Sequence, residues 1–465
     1  MRDNPPKLPD SLAAPSDLVS AAAPALLPGQ ASRFGKYELL RLIGSGSSSS
    51  VFLAHDPFAG REVAIKIASP DVLGDPDKGR LYSRLFLNEA SLAGKLNHPH
   101  IVQIYDAVVA DKICYIVMEY VAGGTLAQHT RPGHLLSLEQ IVEIIFKCTR
   151  ALEFAHQLGV THRDIKPANI LLVGDHDIKI GDFGAALTGQ TQLTLIGAIG
   201  SPAYMSPEQI NEQPLDHRTD IYSLGVVLFQ LLTGHLPFTA ETQASQIYRI
   251  VHEASPRPSS LRPDLPPALD TIVARAMAKD REQRYPTWQA FAQDLVSIAR
   301  DGLLYGGGTE LAESERFDIL RVLPFFADFP DAELWEILRF SEWRRVTPGS
   351  LVLHDGARGE VFAFVAAGQL AVSKDDTPLD VLCRGDCFGE MAVLNRRTPT
   401  RSADVTALTE ADIVIVSGEA LKKASDACRL HFYQSFVDVL SNRLDIANQR
   451  LAAAASPLLP TLPEA

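Results

Sequence analysis

His162-Arg163-Asp164-Ile165-Lys166-Pro167-Ala168-Asn169 is the stretch on which the reading of this chain turns. It sets an acid, a cation and a carboxamide at fixed offsets, with a proline restricting the backbone between them. Asp164 can accept the proton of a hydroxyl, Lys166 can neutralise an anion, and Asn169 offers a hard oxygen to a divalent cation. Downstream, Asp182-Phe183-Gly184 follows the apolar Ile178/Ile180 alternation of a strand, so a second hard-oxygen ligand ends an element nearby. A positioned proton acceptor, a neutralising cation and a metal-binding pair are what phosphoryl transfer asks of a protein, because the reaction needs little covalent help.

The surroundings fit the same chemistry. Upstream, Gly44-Ser45-Gly46-Ser47-Ser48-Ser49-Ser50-Val51 lies between two strand-like runs, and its glycines let backbone amides approach phosphate oxygens. Val63-Ala64-Ile65-Lys66 ends a strand on a lysine, and Glu89 follows on a segment with helical spacing, where it can orient the ammonium. Met205-Ser206-Pro207-Glu208, Asp220 in Asp220-Ile221-Tyr222-Ser223-Leu224-Gly225, and Arg284 come later in the chain.

In this order and at these spacings, residues 37 to about 299 resemble a eukaryotic-type (Hanks-type) serine/threonine protein kinase of bacterial origin. The resemblance implies Asp164, Lys166, Lys66 and Glu89 as catalytic residues. It implies an ATP site at Ile43, Gly44, Ser45, Gly46, Val51, Ala64, Lys66, Met118, Glu119 and Val121, with Asn169 and Asp182 holding Mg²⁺ or Mn²⁺. Protein hydroxyls would be the acceptors, and Lys166 points to serine or threonine. Arg163 implies a phosphate on the activation segment between Asp182 and Glu208, where Thr188, Thr191 and Thr194 are candidate acceptors. Glu208 would pair with Arg284, and Asp220 would brace the catalytic loop. The chain departs from the family pattern at Ser49, which stands for the third glycine, at Met205-Ser206 before Pro207-Glu208, and at Ser201-Pro202, where Thr-Pro is usual.

A second module follows. Gly385-Asp386-Cys387-Phe388-Gly389-Glu390-Met391-Ala392 precedes Pro399-Thr400-Arg401-Ser402-Ala403-Asp404-Val405. A short helix at Glu390 can offer N–H groups to a phosphate, an arginine can neutralise it bidentately, and Glu390 can accept from a ribose hydroxyl. Residues from about 318 to 446 resemble a cyclic-nucleotide-binding domain, which implies Gly389, Glu390, Met391, Ala392, Arg401 and Ser402 as the site for cyclic AMP or cyclic GMP. The stretch from Glu390 to Arg401 is about two residues longer than the usual cassette, so Arg396, Arg397 or Arg401 could meet the phosphate, with Arg401 favoured. A catalytically silent scaffold, and a second module used only for docking, are the competing readings.

At 465 residues the chain is long enough for two to three domains. A net charge of −13 argues against a nucleic-acid binder, which would show a basic stripe. Five scattered cysteines make no disulfide framework, and Cys383/Cys387 lacks partners for a metal site. No run reads as a membrane span or secretory signal, so the cytoplasm is expected. The expected fold class is α+β, a bilobal kinase fold followed by a β jelly roll with flanking helices. Residues 1–33 are expected to be disordered, 37–120 and 121–299 to form the two lobes, 300–317 a linker, 318–446 the second domain and 447–465 a flexible tail. Strands are expected at 37–42, 50–54, 62–67, 101–109 and 113–119 and helices at 81–96, 137–158 and 217–233. In the second module strands are expected at 350–354, 361–365, 369–373 and 412–416, with helices at 331–340 and 429–452. Leu430, Phe436, Val437, Leu440 and Leu444 fall mainly on one stripe of the last helix, for which packing into the domain core leads over lid closure, packing on the kinase or a homodimer.

Overall fold

The computed structural model describes residues 32–46, 49–69, 86, 89, 91–92, 94–110, 113–174, 177–183, 187–188, 202–300, 312–394 and 400–455. The chain forms two compact units, Met1–Gly306 and Gly307–Ala465.

The first unit begins with a six-stranded antiparallel sheet, in the order Ser32–Phe34, Tyr37–Ser45, Ser49–Asp56, Arg61–Ala68, Ile113–Glu119, Ile104–Ala110. Strand alternation gives it two apolar faces. Tyr115 and Val117 point into a cluster with Phe34, Tyr37, Phe52, Val63 and Ile65, while Cys114 and Ile116 pack with Phe86 and Ala68 on the other face. All five expected strands form, although the one expected from Ile101 starts at Ile104. Ser32–Phe34 corrects the expectation of disorder through residue 33. Phe34 is buried and packs edge-on against the Tyr115 ring at 5.1 Å, which ties this edge strand down. Of the helix expected at 81–96, Phe86, Glu89 and Ser91 are helical, and much of the remainder lies outside the described residues.

The second lobe is built on two long helices. Leu138–Gln157 starts at a reciprocal capping box between Ser137 and Gln140. Arg218–Thr233 is buried at all but its first residue, which suits an apolar run without a polar face. It stops at Gly234 in the left-handed region (φ +77°), where a Cβ would stand 2.6 Å from Pro132 N.

The second unit closes two four-stranded antiparallel sheets face to face. One runs Ser341–Val346, Ala411–Ser417, Val361–Ala367, Cys387–Phe388; the other runs Leu351–Leu353, Asp404–Ala407, Leu370–Lys374, Thr377–Leu382. Ala363, Val365, Leu370, Phe388, Val405 and Ile413 fill the space between them. Val361–Ala367 is buried on both faces, because Phe362 and Phe364 turn outward into the rings of Phe325, Phe326, Phe432 and Phe436. Four strands of this unit escaped the sequence reading: Ser341–Val346, Thr377–Leu382, Cys387–Phe388 and Asp404–Ala407. The first two are edge strands whose side chains are mostly exposed and polar or interrupted by Pro378, so their apolar alternation is weak. Helix Glu313–Val322 occupies part of the expected linker, since Phe317 stacks on Trp335 at 4.6 Å. The last helix, Asp426–Ala455, continues into the expected tail.

Candidate functional site

The catalytic loop is fixed from three sides. Asp220, buried at the start of helix Arg218–Thr233, accepts the backbone N–H groups of His162 and Arg163, both at 2.7 Å. Burial pushes the Asp220 carboxyl up, and those two donors oppose the shift. The N–H of Asp164 donates to His162 Nδ1 at 3.3 Å, which leaves Nε2 to donate to the Gly181 carbonyl at 3.0 Å. Gln209 Nε2 donates to the Arg163 carbonyl at 2.9 Å. The loop is held in a strained form, with Arg163 at φ +68°. Within it, Lys166 Nζ and Asn169 Nδ2 donate to Asp164 Oδ2 at 2.7 and 3.1 Å. Asn169 Nδ2 also donates to the Asp164 carbonyl at 2.8 Å, which turns the amide oxygen away as the remaining acceptor.

A hairpin brings the second oxygen ligand alongside. Ile170–Val173 pairs with Asp177–Ile180, and Gly181 N–H donates to the Asn169 carbonyl at 2.9 Å, so Asn169 and Asp182 flank the open end of one ladder. Lys66 Nζ reaches Asp182 Oδ1 at 2.6 Å and Glu89 Oε2 at 2.9 Å. Burial alone would push the Lys66 ammonium down, but Asp182 and Glu89 together raise it. Lys66 in turn holds the Asp182 carboxyl down to about 2, whereas burial raises Glu89. Phe183 is buried against the His162 ring at 4.5 Å.

The glycine-rich hairpin pairs Gly44 with Val51 and Ser45 with Ser50, and Gly46 N–H donates to the Ser49 carbonyl at 2.9 Å. Ser49 thus acts through its backbone to close the turn, a task open to any residue. Ala64 lies beside Lys66 on its strand and pairs across the ladder with Met118, and Glu119 pairs with Val63, next to Val121. Among the described residues, no group of three His, Cys, Asp or Glu could hold a metal alone. Two oxygen donors at Asn169 and Asp182 instead suit Mg²⁺, which keeps waters and takes substrate phosphates.

Farther out, Arg284 is fully buried and spends its donors on Glu208 Oε1 and Oε2 (2.6 and 2.8 Å) and on the carbonyls of Ala278, Arg218 and Lys279. Arg163 Nε and Nη1 are buried with no partner among the described residues. Of the activation-segment candidates, Thr188 lies in a two-residue strand paired with Val160–Thr161, and Thr191 and Thr194 lie outside the described residues.

In the second unit, a cavity of about 210 Å³ is lined by Gly389, Glu390, Met391, Ala392, Arg401 and Ser402. Arg401 donates to the carbonyls of Gly389 and Val361, both at 2.7 Å, and retains further N–H groups for an anion. Its seat needs two glycines: a Cβ on Gly359 would stand 2.8 Å from Arg401 Cζ, and one on Gly389 (φ +81°) 2.6 Å from Nη1. Arg396 and Arg397 lie outside the described residues. Glu390 is 1% exposed and its Oε1 accepts from Arg443 Nη1 at 2.6 Å. Burial raises the Glu390 carboxyl and Arg443 opposes the rise. The acceptor expected for a ribose hydroxyl is therefore already engaged by the last helix, a partner the sequence reading missed. Arg443 also lines the cavity. Nothing in its local sequence distinguishes it from a solvated helix arginine.

Comparison with known proteins bears on both units. The protein kinase domain model matches residues 37–296, more than half of the chain. The chain belongs to the protein kinase family. The cyclic nucleotide-binding domain model matches residues 343–427 of the second unit. The kinase part is similar to the probable serine/threonine-protein kinase PknB of Bifidobacterium longum, 36% identical over 298 residues that cover 61% of this chain and 42% of the relative. It is 37% identical over 297 residues to serine/threonine-protein kinase PknB of Mycolicibacterium smegmatis, covering 62% and 47% of the two chains. It is 39% identical over 271 residues to PknB of Mycobacterium tuberculosis strain H37Rv, covering 57% and 43%. The chain spans less than half the length of these relatives. Among the described residues, no helix of this chain is long and apolar enough to cross a membrane.

Proposed function

We propose that the chain is a serine/threonine protein kinase that moves the γ-phosphoryl of Mg-ATP to protein hydroxyls. The observation that carries this is the Asp164 carboxylate, bracketed by Lys166 at 2.7 Å and Asn169 at 3.1 Å, together with the Lys66–Glu89–Asp182 cluster. Asp164 accepts the hydroxyl proton as the acceptor oxygen bonds to the γ-phosphorus and the bond to the β-phosphate oxygen breaks, with ADP leaving. Lys166 neutralises the transferring group, and Lys66, oriented by Glu89, neutralises the α- and β-phosphates. Asn169 and Asp182 hold Mg²⁺, which adds positive charge at the phosphates. Ile43, Gly44, Ser45, Gly46, Val51 and Ala64 cover the nucleotide, and Met118, Glu119 and Val121 receive the adenine. A cytoplasmic location, where ATP is supplied, belongs to the same reading. Incubation with labelled Mg-ATP and a generic acceptor, alongside Asp164→Asn, tests the reading. Equal absence of phosphate incorporation in both proteins would favour a silent scaffold.

Two controls belong to this proposal. The unpartnered, buried Nε and Nη1 of Arg163 support a phosphate on the activation segment, with Thr191 and Thr194 preferred over the strand-bound Thr188. The six cavity residues, above all the carbonyl-fixed Arg401, support cyclic AMP or cyclic GMP as an effector. Effector control requires different ligand affinities for the active and inactive arrangements. Calorimetry with both nucleotides on the full chain and on Arg401→Ala tests this part. No heat with either ligand on the wild type would make the second unit a docking domain.

A further inference from the structure

The last helix, Asp426–Ala455, has two apolar faces where its sequence suggested one. Cys428, Phe432 and Phe436 turn inward at 0, 0 and 1% exposure, and Phe436 lies 5.0 Å from the Phe362 ring. Leu430, Tyr433, Val437, Leu444 and Leu451 turn outward, at 57, 45, 62, 61 and 68% exposure. Leu440, half-buried, and Ala447, exposed, complete the row. Core packing therefore accounts for Phe436 and leaves Leu430, Val437 and Leu444 uncovered. Scattered exposed leucines are ordinary, but an unbroken row along a helix is not.

The spacing identifies what covers the row. Residues 430, 433, 437, 440, 444, 447 and 451 alternate by three and four, the a/d seam of a coiled coil. It runs for three heptads, about 32 Å at 1.5 Å per residue. A seam with a 3.5-residue period is complementary to an identical seam related by a two-fold axis. The flanks give the direction. Gln434, Ser441 and Asn448 stand on the e side, all uncharged, while the g side carries Arg429 and Arg443, paired with Asp426 and Glu390, on either side of the inward Phe436. An antiparallel pair sets the arginine flank against itself; a parallel pair sets it against the uncharged flank.

We propose that the chain is a homodimer in which two such helices pack parallel and in register through Leu430, Tyr433, Val437, Leu440, Leu444 and Leu451. The inward face of each helix stays on its own domain, and Arg443 keeps its bond to Glu390, so the seam borders the cavity. The proposal stands whether or not that cavity binds a nucleotide.

Sedimentation equilibrium on the full chain tests it. A dimer is expected at micromolar concentration. Leu444→Glu, at a position already exposed in the single chain, is expected to leave a folded monomer by circular dichroism, whereas Asn442→Glu, on the outer face, leaves the dimer intact. For direction, Leu451→Cys is made in a Cys383→Ser background, because Cys383 is the exposed native thiol and the other cysteines are buried. Mild oxidation is expected to link the two copies at position 451. A monomeric wild type, or a dimer that survives Leu444→Glu, overturns the interface; a dimer that does not link at 451 overturns the parallel arrangement.

Discussion

Replacing Asp220 by asparagine tests how the catalytic loop is held. The buried carboxylate accepts two backbone N–H groups, from His162 and Arg163, each at 2.7 Å. Hydrogen bonds to a charged group contribute about 1.5–3 kcal/mol each, and a buried N–H left unpaired costs about 1–3 kcal/mol. Asparagine keeps one acceptor oxygen and turns an NH₂ donor towards the other N–H, so one bond is lost and two donors face each other. Relief of the buried charge, which raises the Asp220 carboxyl in the wild type, offsets part of this. A net loss of about 2–4 kcal/mol remains, and Arg163 at φ +68° supplies strain, about 1–3 kcal/mol for such a residue, that drives the loop to relax. Asp164 then leaves its position between Lys166 and Asn169. At 1.36 kcal/mol per tenfold, kcat falls about a hundredfold. KM for ATP stays within about threefold, because Lys66, Glu89 and Asp182 do not touch Asp220 and uniform binding is retained. Initial rates of labelled phosphate transfer over an ATP titration, with a thermal melt to confirm folding at the assay temperature, measure both. A folded variant with kcat within threefold of wild type would refute the bracing role of Asp220.

Arg284→Ala leaves the Glu208 carboxylate buried without a countercharge, with the Thr219 hydroxyl still donating to it at 2.8 Å, and is expected to lower stability by about 3–5 kcal/mol in urea unfolding. The Asp182 carboxyl sits near 2 chiefly because of Lys66, so their pairing stabilises the fold above the unfolded carboxylate value near pH 4 and is lost as the pH falls through about 2. Lys66→Met should therefore raise the Asp182 titration, followed by carbon-detected NMR of labelled aspartate; an unmoved titration would contradict the pairing. Arg443→Ala frees the Glu390 oxygen and should tighten cyclic nucleotide binding about tenfold by calorimetry, given the strength of a charged hydrogen bond. Weaker binding would instead make Arg443 a ligand contact.

The sequence alone determined the catalytic loop, the glycine-rich hairpin, the strand carrying Lys66, which runs on to Ala68, and the cassette residues Gly389 to Ala392 and Arg401 to Ser402. In each, the reactive groups lie close in sequence, and residue type with local spacing sets what they can do. Strands with clear alternation were legible for the same reason, while Thr377–Leu382, exposed and interrupted by Pro378, was not. The family resemblance already implied that Glu208 pairs with Arg284 and that Asp220 braces the catalytic loop, contacts the structure gives at 2.6 and 2.7 Å, whereas only the tertiary structure decided that Lys66 meets Asp182 and Arg443 meets Glu390. It also split the last helix, sending Phe436 inward and its neighbour Val437 out to solvent. Periodicity tells that a face is apolar, but burial is a property of two surfaces, and the second surface is supplied by residues far away in the chain.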